Sequence, residues 1–365
     1  MVETASNLIR SCILCVVFLT IGTLMADEKL AGLMTEGKYA KAVEYIDQIP
    51  VPQRTVDVWL DYAESLDKTT TDKQKVLNAF TEAQKVQPSD PKIFAAMGDF
   101  YTRQKDYSNA IKPYQKWYLL ERSAKAAEAM ATCAMRLKLY EKARDAAESA
   151  VKLDSVNTLE SRKILSALYL TDKDWVSAAQ QLEAIVLKIK DDVGYWKKLA
   201  HCYEETNNRE KIITAAARIV DLDKKDIPSR RRMVDYYLEK KESASAFTLL
   251  KELAVLTPED AKIFKYLYQI SLEKDQKKDA VLYLRNFLML DSSDASAYKV
   301  QGDLLYEQKN FGEAIDAYRK AIKLNPSITG LYKAFIAIAI EKKLDDEIIA
   351  IAPKAIAAGE MDAAT

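Results

Sequence analysis

The chain is 365 residues long, 49% hydrophobic, and carries 54 basic against 54 acidic residues. That balance gives no net attraction to nucleic acid or to an anionic membrane surface. Nine glycines and nine prolines are too few for many β-turns, so the composition excludes a turn-rich β architecture and favours long stretches of helix.

At the N-terminus, Arg10 precedes an apolar run from Ile13 to Met25 that closes on Ala26. A basic residue, an apolar core of that length and a small residue at its end predict a secretory signal peptide over 1–26, cleaved after Ala26. The run is shorter than the roughly 20 residues that a membrane span needs. If retained, it is a short N-terminal anchor and the one expected membrane contact. No Asn-x-Ser/Thr acceptor occurs, which favours a bacterial periplasm over a eukaryotic secretory route. The expectation is therefore an exported, periplasmic protein, anchored to the inner membrane if 1–26 stays in place.

From residue 27 onward, short apolar-periodic segments come in pairs separated by tight polar breaks. Residues 27–54 carry Leu30, Leu33, Tyr39, Ala42 and Ile46, and 55–90 carry Trp59, Tyr62, Ala63, Phe80, Ala83 and Pro88. Residues 91–123 carry Phe94, Met97, Gly98, Tyr101, Ala110 and Tyr114, and 124–158 carry Met130, Ala131, Tyr140, Ala143 and Ala147. Five successive segments then keep a 34-residue register: 159–192, 193–226, 227–260, 261–294 and 295–328. The last of these shows Tyr298, Gly302, Leu305, Phe311, Ala314, Tyr318, Ala321 and Pro326. Residues 329–362 keep only Tyr332, Phe335 and Ala355, and 363–365 form a short tail. Each unit predicts helix, turn, helix and a stop. Neither helix can bury its stripe alone, so the units must stack, and an atypical end unit is expected where no neighbour follows.

Trp196-x-x-Leu199-Ala200-x-x-Tyr203 and Gly302…Ala314-x-x-x-Tyr318…Pro326 resemble tetratricopeptide repeats. The resemblance runs over residues 27–362 as about ten helix pairs. It implies an all-α solenoid of the tetratricopeptide type, a right-handed superhelix whose first helices line a concave groove. Only Gly98 and Gly302 supply the family's glycine, and Arg230 stands where an aromatic is usual.

The fifth residue of six successive first helices is basic: Lys163, Lys197, Arg231, Lys265, Lys299 and Lys333. The thirteenth is acidic at Glu205, Glu239, Glu273, Glu307 and Glu341. Both placements oppose their own helix dipole, which favours acids at the N-terminus and bases at the C-terminus. Expected to face the groove with the basic column are His201, Asp235, Gln269, Asp303 and the aromatic anchor Tyr306. One reading is a stripe that receives an acidic, extended or helical segment of a partner protein; the other is a surface pattern copied by duplication. The ninth residues include no Asn, so the Lys–Asn carboxylate clamp of some family members is not implied.

His201 is the single histidine. One histidine without a matching nucleophile or co-ligands predicts neither catalytic nor metal chemistry. No glycine-rich phosphate loop is present, and Arg230-Arg231-Arg232 sits among acids on a neutral chain, so no nucleic acid is expected. Cys133 and Cys202 fall at one place in units two repeats apart; a disulfide needs Cα atoms within about 7 Å, so both are expected to be buried free thiols. The expected function is a non-enzymatic, cofactor-free protein-interaction scaffold of the cell envelope. The alternative is a scaffold for export or handling of a charged polysaccharide.

Overall fold

Tight turns set the architecture. At the end of α17 (Ala295–Glu307), Lys309 takes φ 60°. Its amide donates to the Tyr306 carbonyl at 2.8 Å, and the Asn310 amide donates to the Leu305 carbonyl at 2.9 Å. This paired closure satisfies the orphan carbonyls of the last turn and reverses the chain at once. The same left-handed residue recurs at Lys105, Lys138, Lys173, Asn207, Lys241, Asp275 and Lys343. Lysine lacks the glycine freedom that this conformation favours. Lys241→Gly is therefore expected to stabilise by about 0.5 kcal/mol, read as a higher urea midpoint.

The computed structural model describes residues 28–361, so the proposed signal peptide and the 363–365 tail lie outside the described residues. No strand occurs among the described residues. The chain divides into two units, one ending at Ile189 and one beginning at Lys190. Unit 1 contains α1 (28–35), α2 (Tyr39–Asp47), α3 (Val56–Thr69), α4 (Lys73–Val86) and α5 (Pro91–Arg103). It continues with α6 (Tyr107–Leu120), α7 (Ala124–Arg136), α8 (Tyr140–Leu153), α9 (Leu159–Thr171) and α10 (Trp175–Lys188). Unit 2 contains α11 (Val193–Glu205), α12 (Arg209–Leu222), α13 (Ile227–Glu239), α14 (Ser243–Leu256) and α15 (Ala261–Glu273). After these come α16 (Lys277–Leu290), α17, α18 (Phe311–Leu324), α19 (Leu331–Glu341) and α20 (Asp345–Ala357).

Within each unit, odd-numbered first helices alternate with even-numbered second helices, and consecutive helices pack on one another. In unit 2 most buried apolar side chains between Ala216 and Ala355 join into one cluster. In unit 1 the packing around α7 and α8 is built largely from alanine. Ala131, Ala146 and Ala147 meet Leu165, and Ala134 and Ala143 meet Leu168.

The family glycines have a packing reason. Gly98 and Gly302 lie within the first helices α5 and α17, where a Cβ would fall 2.3 Å from the Tyr114 ring and 2.6 Å from the Tyr318 ring. Each tyrosine comes from the second helix of the pair and donates its hydroxyl to the residue after the glycine, Asp99 at 2.6 Å and Asp303 at 2.7 Å.

Candidate docking face on the first helices

Four of the first helices of unit 2, α11, α13, α15 and α17, begin with aspartate N-caps. Asp192, Asp226, Asp260 and Asp294 each accept an amide bond from the first turn, which satisfies an orphan N–H. Three of them do a second job. Lys197 reaches Asp226 at 2.7 Å, Arg231 reaches Asp260 at 2.7 Å, and Lys265 reaches Asp294 at 2.8 Å. Asp260 and Asp294 divide the work, with Oδ1 on the cap amide and Oδ2 on the cation. Every pair joins the fifth residue of one first helix to the cap of the next, 29 positions on.

The acidic column is tied across the same junctions. Arg209, Ser243 and Lys277 open α12, α14 and α16, and they bond Glu239, Glu273 and Glu307 at the ends of the following first helices. At these six positions the charge that opposes its own helix dipole is answered by the neighbouring repeat. Burial pushes the Asp226 and Asp294 carboxyls up, but the Lys197 and Lys265 ammonium groups and the cap bonds outweigh it, leaving both below the ordinary value of 3.8. The partner hydrogen bonds raise Lys197 and Lys265.

The remaining members of the column behave differently. Lys299 pairs with Asp303 at 2.9 Å, because the position 29 residues on is Ile328. Lys163, in unit 1, bonds Glu160 at 2.7 Å. Lys333, Asp235 and Gln269 are exposed. Tyr306 is 39% exposed and rests edge-on against Phe311 at 5.6 Å. Arg231 turns to Asp260 and away from Asp235, the acid four residues on. No spacing within a single helix signals these junction pairs; the periodic Asp at +29 does.

Around His201 the face hollows into a cavity of about 280 Å³ between α11 and α13, walled by Lys197, His201, Glu204, Asp226 and Arg232. Glu204 holds the centre, paired with Arg232 and 3.8 Å from His201 Nδ1. A smaller cavity of about 80 Å³ lies at the next junction, beside Arg231, Asp235, Asp260 and Tyr266. All three arginines of the 230–232 run engage carboxylates: Arg230 with Glu252 at 2.9 Å, Arg231 with Asp260, Arg232 with Glu204. Arg230 is 3% exposed, its stem filling the aromatic's place while its head also bonds the Asp226 carbonyl.

No set of three or more His, Cys, Asp or Glu able to hold a metal occurs among the described residues. None of the described helices is long and apolar enough to cross a membrane. Cys133 and Cys202 are buried free thiols. Burial pushes both up, Cys202 to about 11. Because the thiolate is the reactive form, peptide mapping after a short maleimide pulse at neutral pH is expected to find neither modified until urea is added.

Residues 295–328 match the tetratricopeptide repeat family model. No curated protein matches the chain. Among solved structures, the chain is similar to a MamA protein, at 21% identity over 46% of this chain and 92% of the other, with a TM-score of 0.37. It is also similar to YrrB, described as a TPR protein with an unusual peptide-binding site, at 16% identity over 52% and 94% with a TM-score of 0.40. A third likeness is to PilF of Pseudomonas aeruginosa, at 13% identity over 60% and 97% with a TM-score of 0.36. Residues 295–328 are thus a tetratricopeptide repeat, and the alternating first and second helices with their recurrent left-handed turns give the chain an all-α solenoid fold of that type.

Proposed function

We propose that the protein is a non-enzymatic scaffold of the cell envelope whose first-helix face in unit 2 docks extended or helical segments of partner proteins. Tetratricopeptide repeats are in general a protein-interaction fold, so the class follows from the family. The observation that carries the site is the run of junction ion pairs beside the His201 cavity. Lys197 and Lys265 are held in place before any ligand arrives, which lowers the ordering cost of binding. An ammonium has three donors, so each retains capacity for a partner carboxylate or carbonyl. Exposed His201, Asp235, Gln269 and Tyr306 supply polar and aromatic contacts beside them. Acidic or carbonyl-rich segments suit this face best.

Reversing the lysines to glutamate would set a carboxylate against Asp226 or Asp294 and disturb the fold, so crosslinking tests the face more cleanly. A photoreactive residue placed singly at His201, Gln269 or Tyr306 in whole cells is expected to trap a common partner. Placed at Val255 or Met289, 82% and 78% exposed on α14 and α16, it should trap much less of it. Equal adducts from both sets, or an anionic polymer in place of a protein, would remove the reading. Export is part of the proposal, and a mature form beginning at any residue other than Asp27 counts against cleavage after Ala26.

A further inference from the structure

A second hollow lies in unit 1, between α6 and α8 and floored by α7. It holds about 290 Å³, with Ala127, Met130 and Ala134 below, Ile111 and Tyr118 on the α6 side, and Ser149 on the α8 side. Its origin is legible in the repeat itself. The fourth residue of the first helix is Phe94 in α5, Trp196 in α11, Phe264 in α15 and Tyr298 in α17, whereas α7 has Ala127.

Those large side chains occupy a defined place beside the second helix of their own pair. The Lys116 ammonium lies 4.5 Å from the centre of the Phe94 ring, and Lys320 lies 5.3 Å from that of Tyr298. Arg230 bonds Glu252 at 2.9 Å from the same position. In all three cases the contact is made 22 residues on, and the residue 22 after Ala127 is Ser149, which lines the hollow. The hollow therefore adjoins the place where those three repeats carry a larger fourth residue.

We propose that this cavity is a binding site for one aromatic side chain, phenylalanine or tryptophan, presented by a partner protein. The volume suits a single ring; a cavity of about 150 Å³ already admits benzene. Met130 offers a polarizable thioether to a ring edge. Ala127 and Ala134, each 1% exposed, give the cavity an apolar floor. The mouth, with Gln115, Lys142 and Asp145 exposed, is polar enough to pass a peptide backbone outside. The site rests on the scaffold reading only in taking its occupant from a protein, and it does not involve the first-helix face of unit 2.

The test uses the full chain with methyl-labelled alanine, isoleucine and methionine, titrated with N-acetylphenylalaninamide and followed by NMR. Shifts confined to Ala127, Met130, Ala134 and Ile111, saturating in the millimolar range and at least fivefold weaker with N-acetylleucinamide, are expected. Ala127→Phe supplies the missing ring from within; it is expected to melt at or above the parent temperature and to abolish the shifts. Ser149→Leu, at a half-buried rim position, is expected to weaken them several-fold without loss of fold. No localised shifts with the parent chain, equal response to the leucine compound, or undiminished shifts in a folded Ala127→Phe variant overturns the site. Binding of toluene without the amide overturns a protein side chain as its occupant. None of these outcomes touches crosslinking from His201, Gln269 or Tyr306, so the two proposals fail separately.

Discussion

Gly302→Val is expected to destabilise unit 2 by about 3 kcal/mol, a typical upper figure for overpacking a close-packed site. Tyr318 is 2% exposed, and its hydroxyl is held by Asp303, so its ring has no free direction in which to retreat. Gly302→Ala gains about 1 kcal/mol of helix propensity. Even so, it should be net destabilising, since its Cβ would lie 2.6 Å from the ring. The double variant Gly302→Val/Tyr318→Ala provides the check: the two costs should fall short of additive by about 2 kcal/mol, because one change makes room for the other. Additive urea-unfolding energies would show that the ring is not what the valine meets. Gly98→Val should behave the same way against Tyr114 in unit 1.

Replacing Asp226, Asp260 and Asp294 together by alanine is expected to cost about 4 kcal/mol. Each loses a helix cap worth about 1 kcal/mol and a partly buried ion pair worth a few tenths more. The sites lie one repeat apart and should add nearly independently. The asparagine triple variant separates the two contributions, since an amide still caps but no longer neutralises Lys197, Arg231 or Lys265. The pH dependence has a definite sign. The Asp226 and Asp294 carboxyls are held below their ordinary 3.8. Their contribution is complete above that value and is lost as pH falls through the lowered folded-state values. The parent chain should therefore lose stability below about pH 4 more steeply than the asparagine variant. Parallel curves would mean that the junction pairs contribute little to holding the repeats together.

The basic column shows how far a sequence can be taken. Its period and its opposition to the helix dipole are both visible in the residue order, because a 34-residue ruler and the 3.6-residue turn are local properties. What the charges meet is not local. Lys197 meets Asp226 because α13 packs beside α11, and although an Asp recurs 29 positions on, nothing within a single helix shows that the two touch. Arg230 reads as a lapse in the repeat pattern, yet its stem and guanidinium fill the aromatic's place with Glu252 as counter-ion. Ala127 looks like one alanine among many in α7, and only the space beside Ser149 distinguishes it.

The residue order on its own determined an all-α chain of paired, stacked helices, because helix periodicity, polar breaks and stop signals act within a few positions of each other, and its motifs resemble tetratricopeptide repeats. The tertiary structure decided which columns of charge are neutralised across repeat junctions, why two glycines are required, and where a ring-sized space remains open. Those outcomes depend on side chains about 15 to 30 positions apart meeting at contact distance, and the free energy of such meetings is set by burial and pairing that no single stretch of sequence contains.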